Sequence, residues 1–505
     1  MYFMLRYIFL IFFGGSFLFS FSQSITLENA NSLKSGGRLG KNVQRLIGNV
    51  IMRQNNVLIY CDSAFLYKAD NRFHGFGRVH VKQSGNTDIY GDQLMYDGNT
   101  KIGRYRNNVR LVDQNLTLNT NFLDFDLKDN SGTFYNGGSV QDTAFTLTCQ
   151  RGNYMPDKNL YVFLQKVVVK NDKFDMYTDT LHYQRQESKA YFYGPTNIYG
   201  DSSHIYCERG WFNNISDQAE FRKNAVFKDQ GRVIKAEKIF YDRAKDYTVA
   251  EKNVSMVDTL ENVTITGNYA TYNKTTEESL VTDSALMMQV YQNDTFYIHA
   301  DTLRTGLDSS KQHKEIRGYH HAKIFSSQFQ AKADSLFYSF KDSLVKLFRN
   351  PILWADENQI TAEYIQIQMA NRKPHSLDME KSAFLSSKFD SIRFNQIKSR
   401  NMKGWFTDGN LTKIDALESC ESIYFLDDEK VLVGVNKIQS QKMTISVEKN
   451  KVKRITCFTN PSGILYPPNE LKDNDLILSG FQWFEEYRPL TVLEMFIWNK
   501  KGGEK

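Results

Sequence analysis

A short phrase that recurs through most of the chain constrains its fold more than any other feature. The clearest copy is IYGDQLMY, residues 89–96, and its acid, Asp92, is taken as position zero. Most neighbouring copies are 29 residues apart. Such a period is typical of repeat proteins, in which each unit packs only against its neighbours. The zero positions are Asp62, Asp92, Asn121, Gln150, Asp179, Glu208, Glu237, Asn268, Asp301, Asp334 and Glu363.

Two apolar columns flank the zero position and predict strands with one buried face. The residue three before zero is aliphatic, the residue one before is small, and the residue four after is mostly aromatic. Apolar residues alternate with a period of two on each side of zero, but the phase changes, so each strand must bend or bulge there. The aliphatic column is Ile59, Ile89, Leu118, Leu147, Met176, Ile205, Ile234, Ile265, Ile298 and Ile360, and the aromatic column is Tyr96, Phe125, Tyr154, Tyr183, Phe212, Tyr241, Tyr272 and Tyr338.

The zero column itself holds carboxylates at most positions but amides at Asn121, Gln150 and Asn268. The feature shared by all of these side chains is an acceptor oxygen, not a charge. We therefore predict that the column caps backbone N–H groups freed at the bend. A catalytic or ion-binding role is the alternative, although neutral amides suit it poorly.

A second phrase completes each repeat, as in LIGNVIMRQ at residues 46–54 and NNVRLVDQ at residues 107–114. Turn-forming stretches separate the two phrases in both directions, for example DGNT at residues 97–100 and KDQG at residues 228–231. Two reversals per repeat predict antiparallel hairpins. The predicted fold is all-β, an elongated, repeat-built β-jellyroll or β-taco of antiparallel bent strands. A parallel β-helix is the alternative, because a coil of this length also fits one rung.

Composition agrees with many half-buried strands and argues against some classes of function. Aromatic residues make up 14% of the chain, and there are only 8 prolines. The formal net charge is +6, but both signs are mixed throughout, so no nucleic-acid partner is predicted. The sequence contains no P-loop, no zinc-type Cys/His spacing and no G-x-S-x-G motif, and the adjacent His320 and His321 should face opposite ways. We predict no catalytic residues, no metal and no cofactor.

The ends of the chain differ from the repeats. Residues 1–22 read as a secretory signal peptide, with an uncleaved N-terminal anchor as the alternative. Residues 23–45 are predicted to be a flexible lead-in, residues 46–389 the repeat array, and residues 390–505 degenerate repeats with a C-terminal cap or docking segment. The cap would close the last sheet edge, whereas a docking segment would bind a membrane or a partner protein.

The two alternating phrases, with a small residue and an acid followed by a G/N-N-V turn, resemble the OstA-like family from about Leu46 to Phe389. This family includes periplasmic lipopolysaccharide-transport modules. The resemblance implies a periplasmic protein that can associate with the outer membrane and whose apolar groove shields acyl chains. The aliphatic and aromatic columns would line that groove.

The resemblance also implies a role and partners. The role is that of a lipid-binding bridge or accessory protein in lipopolysaccharide transport to the outer membrane. The partners are lipopolysaccharide or a related lipid, other transport-machinery proteins bound through the terminal sheet edges, and a second copy bound head to tail. A structural or adhesive exported β-solenoid with a closed core is the alternative. A polysaccharide-active β-helix enzyme would need a local cluster of acids and bases, which the evenly spread zero column does not supply.

Overall fold

The computed structural model describes residues 24–499 apart from 38–41, 84–86, 115, 144, 291–293, 371–372, 429–430, 449–450 and 469. The predicted signal peptide, residues 1–22, lies outside the described residues. Among the residues that are described, no helix is long and apolar enough to cross a bilayer. Short 3-10 helices occur at Pro156–Lys158, Arg243–Lys245, Asp473–Leu476, Glu485–Tyr487 and Leu493–Phe496.

Strands account for nearly all of the regular structure, so the predicted all-β class is confirmed. The strands are β1 Thr26–Asn29, β2 Ser32–Ser35, β3 Val43–Gln54, β4 Val57–Tyr67, β5 Arg72–Lys82, β6 Thr87–Asp97, β7 Ile102–Asp113, β8 Leu116–Asp126, β9 Ser131–Gln141, β10 Thr146–Met155, β11 Leu160–Lys170, β12 Asp175–Gln184, β13 Lys189–Tyr199, β14 Ser203–Asn213, β15 Gln218–Asp229, β16 Arg232–Asp242, β17 Tyr247–Asp258, β18 Val263–Asn273, β19 Glu278–Thr282, β20 Leu286–Val290, β21 Thr295–His299, β22 Thr302–Leu307, β23 Lys314–Phe325, β24 Phe329–Ser339, β25 Leu344–Phe348, β26 Ile352–Ala355, β27 Asn358–Thr361, β28 Tyr364–Ala370, β29 Lys373–Lys388, β30 Phe394–Thr407, β31 Asn410–Asp428, β32 Val431–Glu448, β33 Lys451–Phe458 and β34 Ser462–Tyr466.

The chain forms two compact units, divided between Glu187 and Ser188. In the first unit, consecutive strands from β3 to β12 pair antiparallel. In the second unit, β13 to β18 pair in the same way. This pairing confirms the predicted antiparallel hairpins and excludes the parallel β-helix alternative for these strands.

Each long strand bends at one point, which we call the corner. At the corner of every second strand, two residues of that strand oppose the zero position of its partner, as Gly48 and Asn49 of β3 oppose Asp62 of β4. Both of these residues have positive φ, 77° at Gly48 and 46° at Asn49. The predicted bend is therefore present, and its extra residue lies opposite the zero position as a β-bulge. Glycine and asparagine suit these positions because they adopt the left-handed conformation at the lowest steric cost.

The corner divides each strand into two arms that face each other across the interior. We call the half that carries the aliphatic column the aliphatic arm, and the half that carries the aromatic column the aromatic arm. In β6 the buried residues are Thr87, Ile89 and Gly91 on the first arm and Leu94 and Tyr96 on the second. The change of phase predicted from the sequence thus keeps both arms facing one core.

The lead-in predicted to be flexible is partly ordered, and that prediction is wrong for the described residues. β1 pairs with the aliphatic arm of β3, and β2 pairs with its aromatic arm. Between them, the backbone N–H of Asn31 donates to the carbonyl of Gly48 at 2.9 Å. The lead-in therefore follows the same corner and satisfies backbone groups that β3 would otherwise expose.

The region predicted to hold degenerate repeats contains the longest strands and keeps the corner. β29 pairs with β30, β30 with β31 and β31 with β32, and Glu418 and Ser419 of β31 form another left-handed pair. The strand pairing passes residue 389 without a break, since β29 and β30 are joined directly across the turn that contains it.

After β34, residues 471–499 form an irregular segment that we call the C-terminal strap. It runs back over the outer face of the aliphatic arms, from Lys437 of β32 to His299 of β21. Lys323 donates to the carbonyls of Glu494, at 3.1 Å, and of Ile497. The strap therefore lies on a sheet face. The strands that precede it in the chain, β33 and β34, both pair with β32.

Candidate functional site

The two predicted columns lie where the sequence places them, inside the fold between the arms. All ten aliphatic residues are at most 8% exposed. Of the aromatic residues, Tyr96, Phe125, Tyr154, Tyr183, Tyr272 and Tyr338 are equally buried, whereas Phe212 and Tyr241 are half-buried. The interior is thus a continuous apolar surface within each unit.

In this structure the arms contact each other directly across the interior. The rings of Phe227 and Tyr241, one on each arm, are 5.5 Å apart between centroids. Phe296 and Tyr338 make the same kind of contact at 5.8 Å. At these two positions the side chains would have to separate before a hydrocarbon chain could lie between them.

The zero column contacts the corner through its side-chain oxygens, but only part of it caps backbone N–H groups as predicted. At two of the three amide positions the side-chain oxygen accepts a backbone N–H from the corner, from Asn108 to Asn121 at 3.3 Å and from Asn253 to Asn268 at 3.4 Å. Where zero is a carboxylate, a corner side chain usually donates, as Asn108 does to Asp92 at 2.7 Å. These oxygens are engaged in holding the bend, which leaves little scope for acid/base chemistry.

The paired histidines are the two left-handed residues of one corner, with φ of 60° at His320 and 54° at His321, and so lie outside the strand alternation from which opposite faces were predicted. His321 contacts Asp301 at 2.8 Å, and His320 contacts Asp334 at 3.6 Å, so the two rings serve different neighbouring strands. Within the described residues, no cluster of three or more His, Cys, Asp or Glu could hold a metal ion. Burial raises the pKa of the Cys149 thiol to about 11, so this thiol stays protonated and unreactive at neutral pH.

A second polar column, which the sequence-based predictions did not include, lies at the open ends of the arms. We call this region the rim. Each of its residues stands five positions after the second left-handed residue, as Gln54 does after Asn49 and Asp258 after Asn253. The second phrase of the repeat ends on this column, so its recurrence was a usable signal. The members that bridge the arms are Gln54, Gln83, Asp113, Asp229, Asp258 and Gln289.

The rim bridges join the aliphatic arm of one strand to the aromatic arm of a later strand. In the first unit, Gln54 donates to the carbonyl of Gly98 at 2.9 Å and accepts from the Tyr96 hydroxyl. Arg185 pairs with the buried Asp113 at 3.2 Å. These side-chain contacts bridge the arms opposite the corner.

In the second unit the rim bridges are mainly ion pairs. Lys274 lies 2.7 Å from Asp229, and Lys314 contacts Asp258. Burial opposes ionisation of Asp258, but hydrogen bonds from Lys314 and the backbone N–H of Glu261 outweigh it and hold the pKa of that carboxyl below its usual value. Asp258 is therefore charged at neutral pH.

Comparison with known proteins gives one family. Residues 22–179 match the family described as OstA-like protein. Among solved structures, LptH of Pseudomonas aeruginosa, "the LptA homologous periplasmic component of the conserved lipopolysaccharide transport device", is 14% identical with a TM-score of 0.22, over 22% of this chain and 93% of that one. No curated protein matches. The resemblance predicted from the recurring phrases is thus confirmed as far as residue 179 and stays a prediction from residue 180 to Phe389, and residues 22–179 form an OstA-like region.

Proposed function

We propose that this protein is a non-enzymatic lipid carrier of the cell envelope, and that it shields the acyl chains of lipopolysaccharide or a related lipid between its two arms. The observation that carries the proposal is the apolar interior between the two arms. The continuous backbone closes it at the corner, whereas only non-covalent side-chain bridges close it at the rim. The OstA-like match over residues 22–179 supports the same class of function.

The energetics favour an exchange of contacts. Moving an acyl chain from water into an apolar interior contributes about 0.8 kcal/mol per CH₂, or roughly 8 kcal/mol for ten such groups. Opening two rim bridges would cost about 1–6 kcal/mol, since each hydrogen bond to a neutral or charged partner is worth roughly 0.5–3 kcal/mol. The interior side chains remain in apolar surroundings throughout, so hydrocarbon burial outweighs the loss of the bridges.

The finer parts of the proposal concern location and partners. A cleaved signal over residues 1–22 would deliver the chain to the periplasm, where it would act as a bridge or accessory protein at the outer membrane. Transport proteins, or a second copy bound head to tail, would dock through backbone pairing on the terminal strands, which are β1 and β2 of the first unit and β33 and β34 of the second. No chemical step is needed, so we propose no catalytic residue.

Site-specific photocrosslinking tests the proposal in cells. A photoreactive amino acid at Ile205 or Tyr183, both buried in the interior, should capture lipopolysaccharide, whereas one at Asn99, in an exposed turn, should not. Equal labelling at all three positions would count against a lipid-binding interior.

A structural solenoid with a closed core is the second candidate, and the ring contacts between the arms favour it. It predicts that protein purified natively from its own envelope carries no lipid by mass spectrometry. Co-purified lipid at a fixed ratio, lost when an interior position such as Ile205 is changed to Asp, would exclude this candidate.

A further inference from the structure

We infer that the rim of the second unit around Arg232 binds the oxyanion headgroup of an amphiphile, of the phosphate type, whose tail enters the interior beside it. The inference deepens the proposed function and rests on it. Nothing in the family match assigns a headgroup site to these residues, which lie beyond the matched region.

A cavity of about 250 Å³ opens at this part of the rim. Its polar wall holds three cations, Arg232, Lys274 and Lys314, and its apolar wall includes Phe227 and Ile234. A cavity of this size has room for several water molecules or for one phosphate group. The rim is therefore not fully sealed here.

A second cavity of about 50 Å³ adjoins the first and leads toward the apolar interior. The two share Arg232, Asp258, Glu277 and Lys314 in their linings. The rest of its lining is mixed: it includes Ile265 of the aliphatic column and other apolar side chains, together with Glu261, Glu315, Ser279 and Thr305. The charged residues thus stand at the boundary between a polar opening and the columns proposed to hold acyl chains, as an amphiphile requires.

Arg232 is held in place but has donors to spare. Its guanidinium carbon lies 4.2 Å from the ring centroid of Tyr272, which fixes the plane of the group. Its two carboxylate neighbours, Asp258 at 3.9 Å and Glu277 at 4.0 Å, are both beyond hydrogen-bonding distance. The planar guanidinium group of Arg232, with N–H donors not used by these carboxylates, can donate to two oxygens of one phosphate, which a lysine ammonium group matches less well.

The carboxylates of the cluster set the specificity. Asp229 and Asp258 are engaged by Lys274 and Lys314, whereas Glu277 is 45% exposed and can move into solvent. An incoming oxyanion would replace Glu277 beside Arg232 and accept from Lys274 or Lys314 at the cavity wall.

Binding of short amphiphiles to the purified full-length protein tests the inference. Calorimetry below the micelle concentration would compare decyl phosphate, decyl maltoside and inorganic phosphate. Decyl phosphate should bind about tenfold or more tightly than the maltoside, the gain expected from charge-assisted hydrogen bonds. Arg232→Gln should remove that advantage and Arg232→Lys should restore only part of it. Arg349→Gln, on an exposed corner, is the matched control and should leave all three affinities unchanged.

The outcomes separate this inference from the proposed function. Equal affinity for decyl phosphate and decyl maltoside would refute the headgroup site and leave the lipid-binding interior standing. If inorganic phosphate bound as tightly as decyl phosphate, the tail would contribute nothing to binding. The site would then be one for free phosphate, and the proposal that it binds an amphiphile would be wrong. Failure of every amphiphile to bind would remove the proposed function itself. Lys274→Gln, at a more exposed side chain, repeats the test should Arg232→Gln lower the melting temperature.

Discussion

The corner and the rim close the same interior in different ways. At the corner the backbone itself turns, in most of the bulged strands through two left-handed residues, as at Asn107 and Asn108. At the rim the backbone does not cross, and side chains such as Gln54 and Asp113 bridge the gap. The difference implies a fixed side and a separable side, so access to the interior should be controlled at the rim.

The largest effect is expected from removing a buried rim carboxylate. Asp113→Ala deprives Arg185 of its partner at a position only 5% exposed, and should lower the free energy of unfolding by about 2–3 kcal/mol. Urea denaturation followed by circular dichroism measures the loss. Asp113→Asn, which keeps an acceptor, should lose less than the alanine variant; equal losses would show that the bridge is not what holds this part of the rim.

A smaller effect is expected from straining the corner. Asn253 has φ of 52°, where a β-branched side chain is disfavoured, so Asn253→Val should destabilise the fold by about 1–2 kcal/mol. Asn253→Gly tolerates this φ and should stay within about 0.5 kcal/mol of the original chain. If valine and glycine behaved alike in urea denaturation, the left-handed pair would not determine the bend.

Acid should distinguish the rim from the amide-capped corner. The pKa of Asp258 is held below its ordinary value, so its contribution is complete above about pH 4 and is lost as pH falls through the lowered pKa. The stability difference between the original chain and Asp258→Asn should therefore shrink as pH falls below 4. Asn268→Leu, which removes a zero-position cap that does not titrate, should show a constant difference over the same range.

The smallest effect is expected from an exposed ion pair at the corner. Arg349 lies 3.2 Å from Asp334, but its side chain is 74% exposed. Such pairs are screened by solvent, so Arg349→Ala should change the free energy of unfolding by about 0.5 kcal/mol or less. A loss as large as that of Asp113→Ala would mean that corner side chains, and not the backbone, hold the bend.

Features with a short sequence period were predictable, because each strand pairs with its nearest neighbours. The spacing of the zero positions led to the bend, and the alternation around Ile89 and Tyr96 led to the buried face. The position of the left-handed residues was not predicted, although the G/N-N-V turn contains them. Two residues oppose one at this bulge, and the sequence of a single strand does not reveal which strand carries the extra residue.

Contacts between distant parts of the chain were not predictable. The partner of Gln54 is Tyr96, 42 residues away, whereas that of Asp113 is Arg185, 72 residues away, so no fixed interval joins the rim pairs. The ordered lead-in was missed because its two strands are short and polar, and form only against the arms of β3. The rim column itself recurs in the sequence. Its bridging role was not predictable, because the sequence does not show which later residue lies opposite each member of the column.

The C-terminal strap has a consequence for how the chain is made. Neighbouring strands can pair as soon as both have been synthesised. Lys323, however, donates to the carbonyl of Ile497, which is synthesised 174 residues later. Until then Phe384, Ile423 and Phe425 lack the cover of Leu478, so the unfinished protein presents an oily outer surface. A chain that lacked the strap would keep that surface exposed and would therefore be a target for chaperones and proteases.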